Sequence, residues 1–102
     1  MSGGFGLVVR FELRDGAAAG FDALVARTLP GIEADEPGTL AYVVHTVPGE
    51  PAVRVFYELY TDRAAFEEHE RQPHTVRFLA ERDQYLSGVG VTFLQASAGK
   101  RM

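Results

Sequence analysis

Residues Phe5 to Leu13 alternate in character, with Phe5, Leu7, Val9, Phe11 and Leu13 on one side and Gly6, Val8, Arg10 and Glu12 on the other. A period of two belongs to a strand, because successive side chains point to opposite faces. The spacing predicts strand β1 here. Asp15-Gly16 breaks it, and Phe21, Leu24, Val25, Thr28, Leu29 and Ile32 then recur at three- and four-residue steps, the apolar stripe of an amphipathic helix. Pro30 and Gly31 are expected to kink its end. Asp35-Glu36-Pro37-Gly38 is turn chemistry, and Thr39 to Val47 reads as strand β2 from its β-branched and aromatic content. Pro48-Gly49-Glu50-Pro51 closes it. Ala52 to Tyr60 alternates again and reads as strand β3, the hairpin partner of β2.

Thr61 or Asp62 offers a side-chain oxygen to the free N–H groups of a new helix over Ala64 to Glu70, and Pro73 restarts a helical segment over His74 to Arg82. Tyr85-Leu86-Ser87-Gly88 is expected as a connection, and Val89 to Leu94 as strand β4. The order β-α-β-β-α-β is the ferredoxin-like α+β arrangement, a four-stranded antiparallel sheet with helices on one face. One domain is expected over residues 1–102, with a core at about 5–95 and a flexible tail at 96–102.

The two sheet faces differ in chemistry. On β1 and β3 one face is nearly all apolar (Phe5, Leu7, Val9, Phe11, Val53, Val55, Tyr57, Leu59) and is expected under the helices. The other mixes Val8, Phe56 and Tyr60 with Arg10, Glu12, Arg54 and Glu58. Large aromatics among opposite charges suit a second sheet better than water, so Arg10, Glu12, Arg54, Phe56, Glu58 and Tyr60 are the expected homodimer interface. Glu58 would there pair with Arg10 or Arg54.

Composition narrows the partners. The chain has 102 residues, 46% of them hydrophobic and 24% charged, which suits a folded globular domain. A domain of this size buries only about 60–65% of the surface its unfolded chain exposes, which leaves room for a partner subunit. A net charge of -4 argues against nucleic acid, and Lys100 and Arg101 make no basic patch. The apolar runs are strand-sized, so no membrane partner is expected, and the opening Met1-Ser2-Gly3-Gly4 has no leader character. The expected location is cytoplasmic. Without cysteine there is no thiolate nucleophile and no cysteine-ligated metal.

The stretch Phe56-Tyr57-Glu58-Leu59-Tyr60-Thr61-Asp62-Arg63-Ala64-Ala65-Phe66-Glu67-Glu68-His69, followed by Pro73-His74 and Phe78, resembles the signature of the antibiotic biosynthesis monooxygenase domain. The likeness extends to the β1 entry and to Pro37-Gly38 before β2. It implies a dimeric α/β barrel, in a family whose characterised members include cofactor-independent oxygenases of phenols and quinols, haem degraders, and enzymes or binders of other small metabolites. The resemblance speaks for the fold more strongly than for any one activity, since one scaffold serves several chemistries.

On the helix of Ala64 to Glu70, Ala65, Phe66 and His69 share a face, because positions three and four apart stack. His69 is therefore expected beside Phe66 at a cavity between helices and sheet. There a neutral imidazole can take a phenolic proton and leave an electron-rich phenolate to react with dioxygen without a cofactor. The alternative is a buried histidine held by a backbone carbonyl. His74, behind Pro73, is the second candidate catalytic residue, as a tuning or capping group at a helix N-terminus. Phe21, Tyr57, Phe66 and Phe78 are the expected lining for a small aromatic substrate. His69 and His74 lie five residues apart across Pro73, an unfavourable spacing for a metal site. Haem-degrading relatives use an asparagine early in β1 and a tryptophan near the end of β3. This chain contains neither residue type, which disfavours haem chemistry. A cofactor-independent monooxygenase is thus the leading reading. A non-catalytic dimeric binding module for a hydrophobic metabolite, or an isomerase or decarboxylase using the same histidine, are the alternatives.

Overall fold

The structure, a computed structural model, describes residues 4–100; Met1, Ser2, Gly3, Arg101 and Met102, and with them part of the expected tail, lie outside the described residues. β1 spans Phe5–Leu13, α1 Ala18–Asp35, β2 Thr39–Val47, β3 Glu50–Tyr60, α2 Arg63–Arg71, α3 Pro73–Glu81 and β4 Leu86–Gln95, with a 3-10 turn at Arg82–Tyr85. The strands form one antiparallel sheet in the order β2-β3-β1-β4, with β1 and β3 at its centre. This is the ferredoxin-like order, with the second helical region split in two at Pro73.

Two boundaries differ from expectation. α1 continues past Pro30 to Asp35, because the buried Phe21, Leu24, Val25, Thr28 and Ile32 hold its two halves to one core, and a proline removes only one ladder bond. β4 begins at Leu86 rather than Val89. Leu86 pairs with Leu13 across an irregularity after Glu12, so tertiary pairing overrides the turn character of Ser87-Gly88. The β2–β3 hairpin turns through Pro48-Gly49, where Gly49 takes φ 82, a left-handed value that glycine adopts at little cost.

Phe11 is the hub of the core. Its ring centroid lies 4.6 Å from Phe56, 5.2 Å from Phe21 and 6.3 Å from Phe78, so β1, β3, α1 and α3 meet in one aromatic cluster. Such tilted and edge-on pairs add about 0.5–1.5 kcal/mol each beyond the area they bury.

That cluster overturns the expected faces of β3. In the β1–β3 ladder Val9 stands opposite Phe56, Leu7 opposite Glu58, Phe5 opposite Tyr60 and Phe11 opposite Arg54. Residues opposite one another project from the same face. The helix-covered side of β3 is therefore Arg54, Phe56, Glu58 and Tyr60, with relative exposures of 7%, 1%, 5% and 0%. These four do not form an outward dimer face. The physical reason is that the charges found partners inside. Asp22 of α1 receives Arg54 Nε and Nη2 on its two oxygens, each at 3.0 Å, and the Tyr60 hydroxyl donates to Glu58 Oε1 at 2.6 Å.

The open face carries Val8, Val43, Val55, Tyr57, Leu59 and Leu94, as the ladder registers place them. Arg10 and Glu12 do lie there, Arg10 bonded to Glu50 at 3.0 Å. Tyr57, expected in the substrate lining, is on this face and partly exposed. On the other side the helices leave the edge strand uncovered, and Val89, Val91 and Phe93 of β4 stay half-exposed beside Val9 and Leu7.

Candidate active site

Asp62 starts α2 as an extended N-cap, its Oδ1 accepting from the Ala65 N–H at 2.8 Å. That start sets the rotation of the helix and buries Phe66 and His69 against the sheet. The helix must stop at Arg71, because Pro73 forces the preceding Gln72 into extended backbone, ψ 142. Pro73 then opens α3 at its first turn. The break re-aims the chain, so that His74 and His69 reach the same carboxyl group.

That group is Glu36, the residue closing α1, which is only 8% exposed. Its Oε1 lies 2.7 Å from His69 Nδ1 and accepts from Thr39 Oγ1 at 2.7 Å, and its Oε2 meets His74 Nε2. Three donors converge on one acceptor, so Nδ1 of His69 and Nε2 of His74 carry the hydrogens. Gly31 makes the approach of His74 possible, since a Cβ at that position would run into the imidazole ring. The glycine expected to disturb α1 instead gives His74 its seat.

With Nδ1–H committed to Glu36, Nε2 of His69 keeps its lone pair free. It lies 3.9 Å from Glu58 Oε1, beyond hydrogen-bond reach, and the rings of Tyr60 and Tyr42 flank the imidazole at 5.3 and 5.6 Å. Burial pushes His69 below its ordinary pKa, against the opposing pull of Glu36, and so favours the neutral imidazole. Burial pushes Glu58 up to about 7; the hydrogen bond from Tyr60 opposes this and the charge of Glu36 adds to it. Tyr60 and Tyr42 are raised by burial and by these carboxylates, so both remain neutral phenols.

A cavity of about 130 Å³ lies beside this cluster, walled by His69, Glu58, Tyr42, Phe66, Phe78 and Arg82 and reaching the half-exposed Val91 and Phe93. It is close to the roughly 150 Å³ of an apolar cavity that holds benzene. One aromatic ring matches that volume, and the wall is open at the half-exposed Val91 and Phe93 of β4.

Of the residues expected at the site, His69, Phe66 and Phe78 line this cavity. Phe21 is fully buried in the aromatic cluster and does not. Tyr57 is on the opposite face, and His74 acts on the site through Glu36. Sequence reasoning missed Glu36, Glu58, Tyr42 and Arg82 as site residues. Glu36 reads as turn chemistry, and nothing local marks a carboxylate that two histidines 33 and 38 residues away will reach. Among the described residues no group of three or more His, Cys, Asp or Glu side chains is arranged to hold a metal ion. No helix among them is long and apolar enough to cross a membrane.

The fold is that of a known class of small domain. The family model for antibiotic biosynthesis monooxygenase matches residues 4–81, and the chain belongs to that family. No curated protein sequence matches it. Among solved structures, Rv0793 from Mycobacterium tuberculosis superposes with a TM-score of 0.86 at 26% identity, covering 97% of this chain and 99% of that one. PA3566 from Pseudomonas aeruginosa gives 0.87 at 24% identity, covering 96% and 98%. A Caulobacter crescentus protein gives 0.88 at 23%, covering 95% and 92%.

Proposed function

We propose that the protein is a cofactor-independent monooxygenase that oxidises a phenolic or quinol-type aromatic with dioxygen, His69 acting as the base. The observation that carries this reading is the Glu36–His69 pair: one imidazole nitrogen is bonded to a buried carboxyl group, and the other is free at a largely aromatic-walled cavity of one-ring size. A carboxylate that fixes the tautomer and orientation of a histidine is a recurring arrangement for general bases. The family to which the chain belongs, described as antibiotic biosynthesis monooxygenase, supports the reaction class.

In this reading the substrate hydroxyl approaches Nε2 of His69 and gives up its proton. The resulting aromatic oxyanion reduces dioxygen, one oxygen atom enters the ring and the other leaves as water. For a 1,4-naphthohydroquinone the product is the hydroxy-1,4-naphthoquinone plus one water, with the quinol supplying the electrons. Glu58, held near neutrality by burial, is a second proton acceptor on the same wall. Phe66 and Phe78 hold the ring and exclude water. A homodimer formed through the open sheet face of Val8, Val43, Val55, Tyr57, Leu59 and Leu94 belongs to the proposal, because that face is apolar at its centre and no helix of the chain covers it.

The test is oxygen uptake by purified protein with 1,4-naphthohydroquinone and no added metal, haem or flavin. Turnover above the spontaneous rate is expected, and His69→Ala is expected to lower it by roughly 10²–10⁴-fold. The wild-type rate should fall at a pH below the ordinary histidine pKa of about 6.5, because burial lowers the pH at which Nε2 protonates. A His69→Ala protein with full turnover removes the base from the mechanism. A wild type that binds aromatics without oxidising them makes the protein a binding module.

A further inference from the structure

Arg82 is the one side chain in the cavity wall that combines a permanent positive charge with an unmet hydrogen-bond need. Its Nε is buried and has no hydrogen-bond partner, the only such side-chain atom among the described residues. The nearest carboxylate oxygen to that nitrogen is Asp83 Oδ1 at 4.0 Å, on a side chain that is 83% exposed and so well hydrated. The guanidinium carbon stands 5.7 Å from the ring centroid of Phe11, which is itself cavity wall, and the Arg82 side chain is only 24% exposed. A backbone bond from the Arg82 N–H to the Phe78 carbonyl fixes the root of this side chain at the end of α3.

A buried donor left unbonded carries an uncompensated desolvation cost, larger when the group is charged. A ligand that supplies an acceptor recovers that cost on binding. The acids around the cavity leave this nitrogen unbonded: Glu58 feels the charge of Arg82 but takes its hydrogen bond from Tyr60 on Oε1, Glu36 is taken by His69, His74 and Thr39, and Glu70 is exposed. The cavity wall therefore offers three kinds of contact. His69 meets a hydroxyl hydrogen, the aromatic walls meet a ring, and Arg82 meets an oxygen that carries negative charge.

We propose that Arg82 is the specificity residue of this cavity and that the substrate is a hydroxyaromatic acid, with a ring carboxylate received by the Arg82 guanidinium. The inference rests on the proposed use of the cavity for a hydroxyaromatic, but it concerns recognition and not oxidation. Guanidinium and carboxylate match as planar groups, and a charge-assisted bond of this kind contributes about 1.5–3 kcal/mol, roughly a 10- to 150-fold gain in affinity.

The experiment is an anaerobic titration of purified protein with 6-hydroxy-2-naphthoate and with 2-naphthol, read by calorimetry. Oxygen is excluded so that binding is measured whether or not the protein turns over. Wild type should bind the carboxylate ligand at least about tenfold more tightly than the naphthol. In Arg82→Gln that ratio should fall toward one, and Arg82→Lys should restore part of it, since lysine keeps the charge and loses the planar fork. Thermal melts of both variants separate loss of recognition from loss of fold, and Arg82→Lys carries the test if the glutamine variant does not fold. Equal affinities in wild type, no binding of either ligand, or a ratio unchanged in a folded variant each overturn the inference. Absence of oxidation with an Arg82-dependent preference for the carboxylate defeats the monooxygenase reading and leaves this one standing.

Discussion

The two faces of β3 invert the usual rule of apolar inside and polar outside. Its inner face holds Arg54, Phe56, Glu58 and Tyr60, all buried, and its outer face holds Val53, Val55, Tyr57 and Leu59, of which Tyr57 is partly exposed. The difference teaches that a buried charge is stable where a partner meets it. Arg54 is met by Asp22, and Glu58 by the Tyr60 hydroxyl. The face with the charges is also the face with the cavity, since Glu58 of β3 lines it.

The largest expected effect breaks the comparison at neighbouring residues. Phe56→Ala, which removes a ring from the aromatic cluster, should destabilise the fold by about 3–5 kcal/mol in denaturant titration. Tyr57→Ala, one position along the strand, should cost under about 1 kcal/mol, as befits a partly exposed side chain. For the proposed dimer, Tyr57→Asp should leave the protein folded but shift sedimentation toward monomer. Equal destabilisation by Phe56→Ala and Tyr57→Ala would mean that the strand is facing the other way.

Glu36→Gln comes next. Its amide can donate to Nδ1 of His69, which moves the ring hydrogen to Nε2 and removes the free lone pair. Quinol turnover should drop by roughly 10²-fold or more with little change in quinol affinity. A variant with wild-type turnover would show that Glu36 does not orient the base.

A smaller effect should come from Glu58→Gln, read as stability against pH. Burial raises the Glu58 pKa from 4.5 to about 7, so the native state holds a proton that the unfolded chain has released across that interval. Its penalty is absent below pH 4.5, grows as pH rises, and is complete above about pH 7. Glu58→Gln keeps an acceptor for the Tyr60 hydroxyl and removes the charge. It should therefore be more stable than wild type at pH 8, by on the order of 1–3 kcal/mol, with the two converging toward pH 4.5. His69 contributes with the opposite slope, its lowered pKa favouring the native state as pH rises toward the ordinary histidine value, and is common to both proteins. A gap that does not change with pH would contradict a buried, charge-strained Glu58.

The elements were legible because each carries a local signal. Alternation marked β1 and β3, the three-and-four spacing marked α1, Pro48-Gly49 marked the hairpin, and the pair Thr61-Asp62 marked the start of α2, with Asp62 the cap in the structure. His69, Phe66 and Phe78 were legible as one site for the same reason, since helical spacing and a proline break suffice to bring them to one side. The facing of β3 was not. Both of its sides carry large apolar residues, so periodicity alone left the choice open, and the charges of Arg54 and Glu58 tipped it the wrong way.

By itself, then, the sequence determined the order of strands and helices, the family and the histidine on α2, because these depend on neighbours a few residues apart. Tertiary structure decided which face of β3 is inside, that Glu36 joins His69 to His74, that Gly31 leaves space for His74, and that the buried Arg82 Nε lacks a hydrogen bond beside the cavity. Those outcomes depend on groups distant along the chain meeting in a space that exists only once sheet and helices have packed, where desolvation and hydrogen-bond geometry outweigh local pattern.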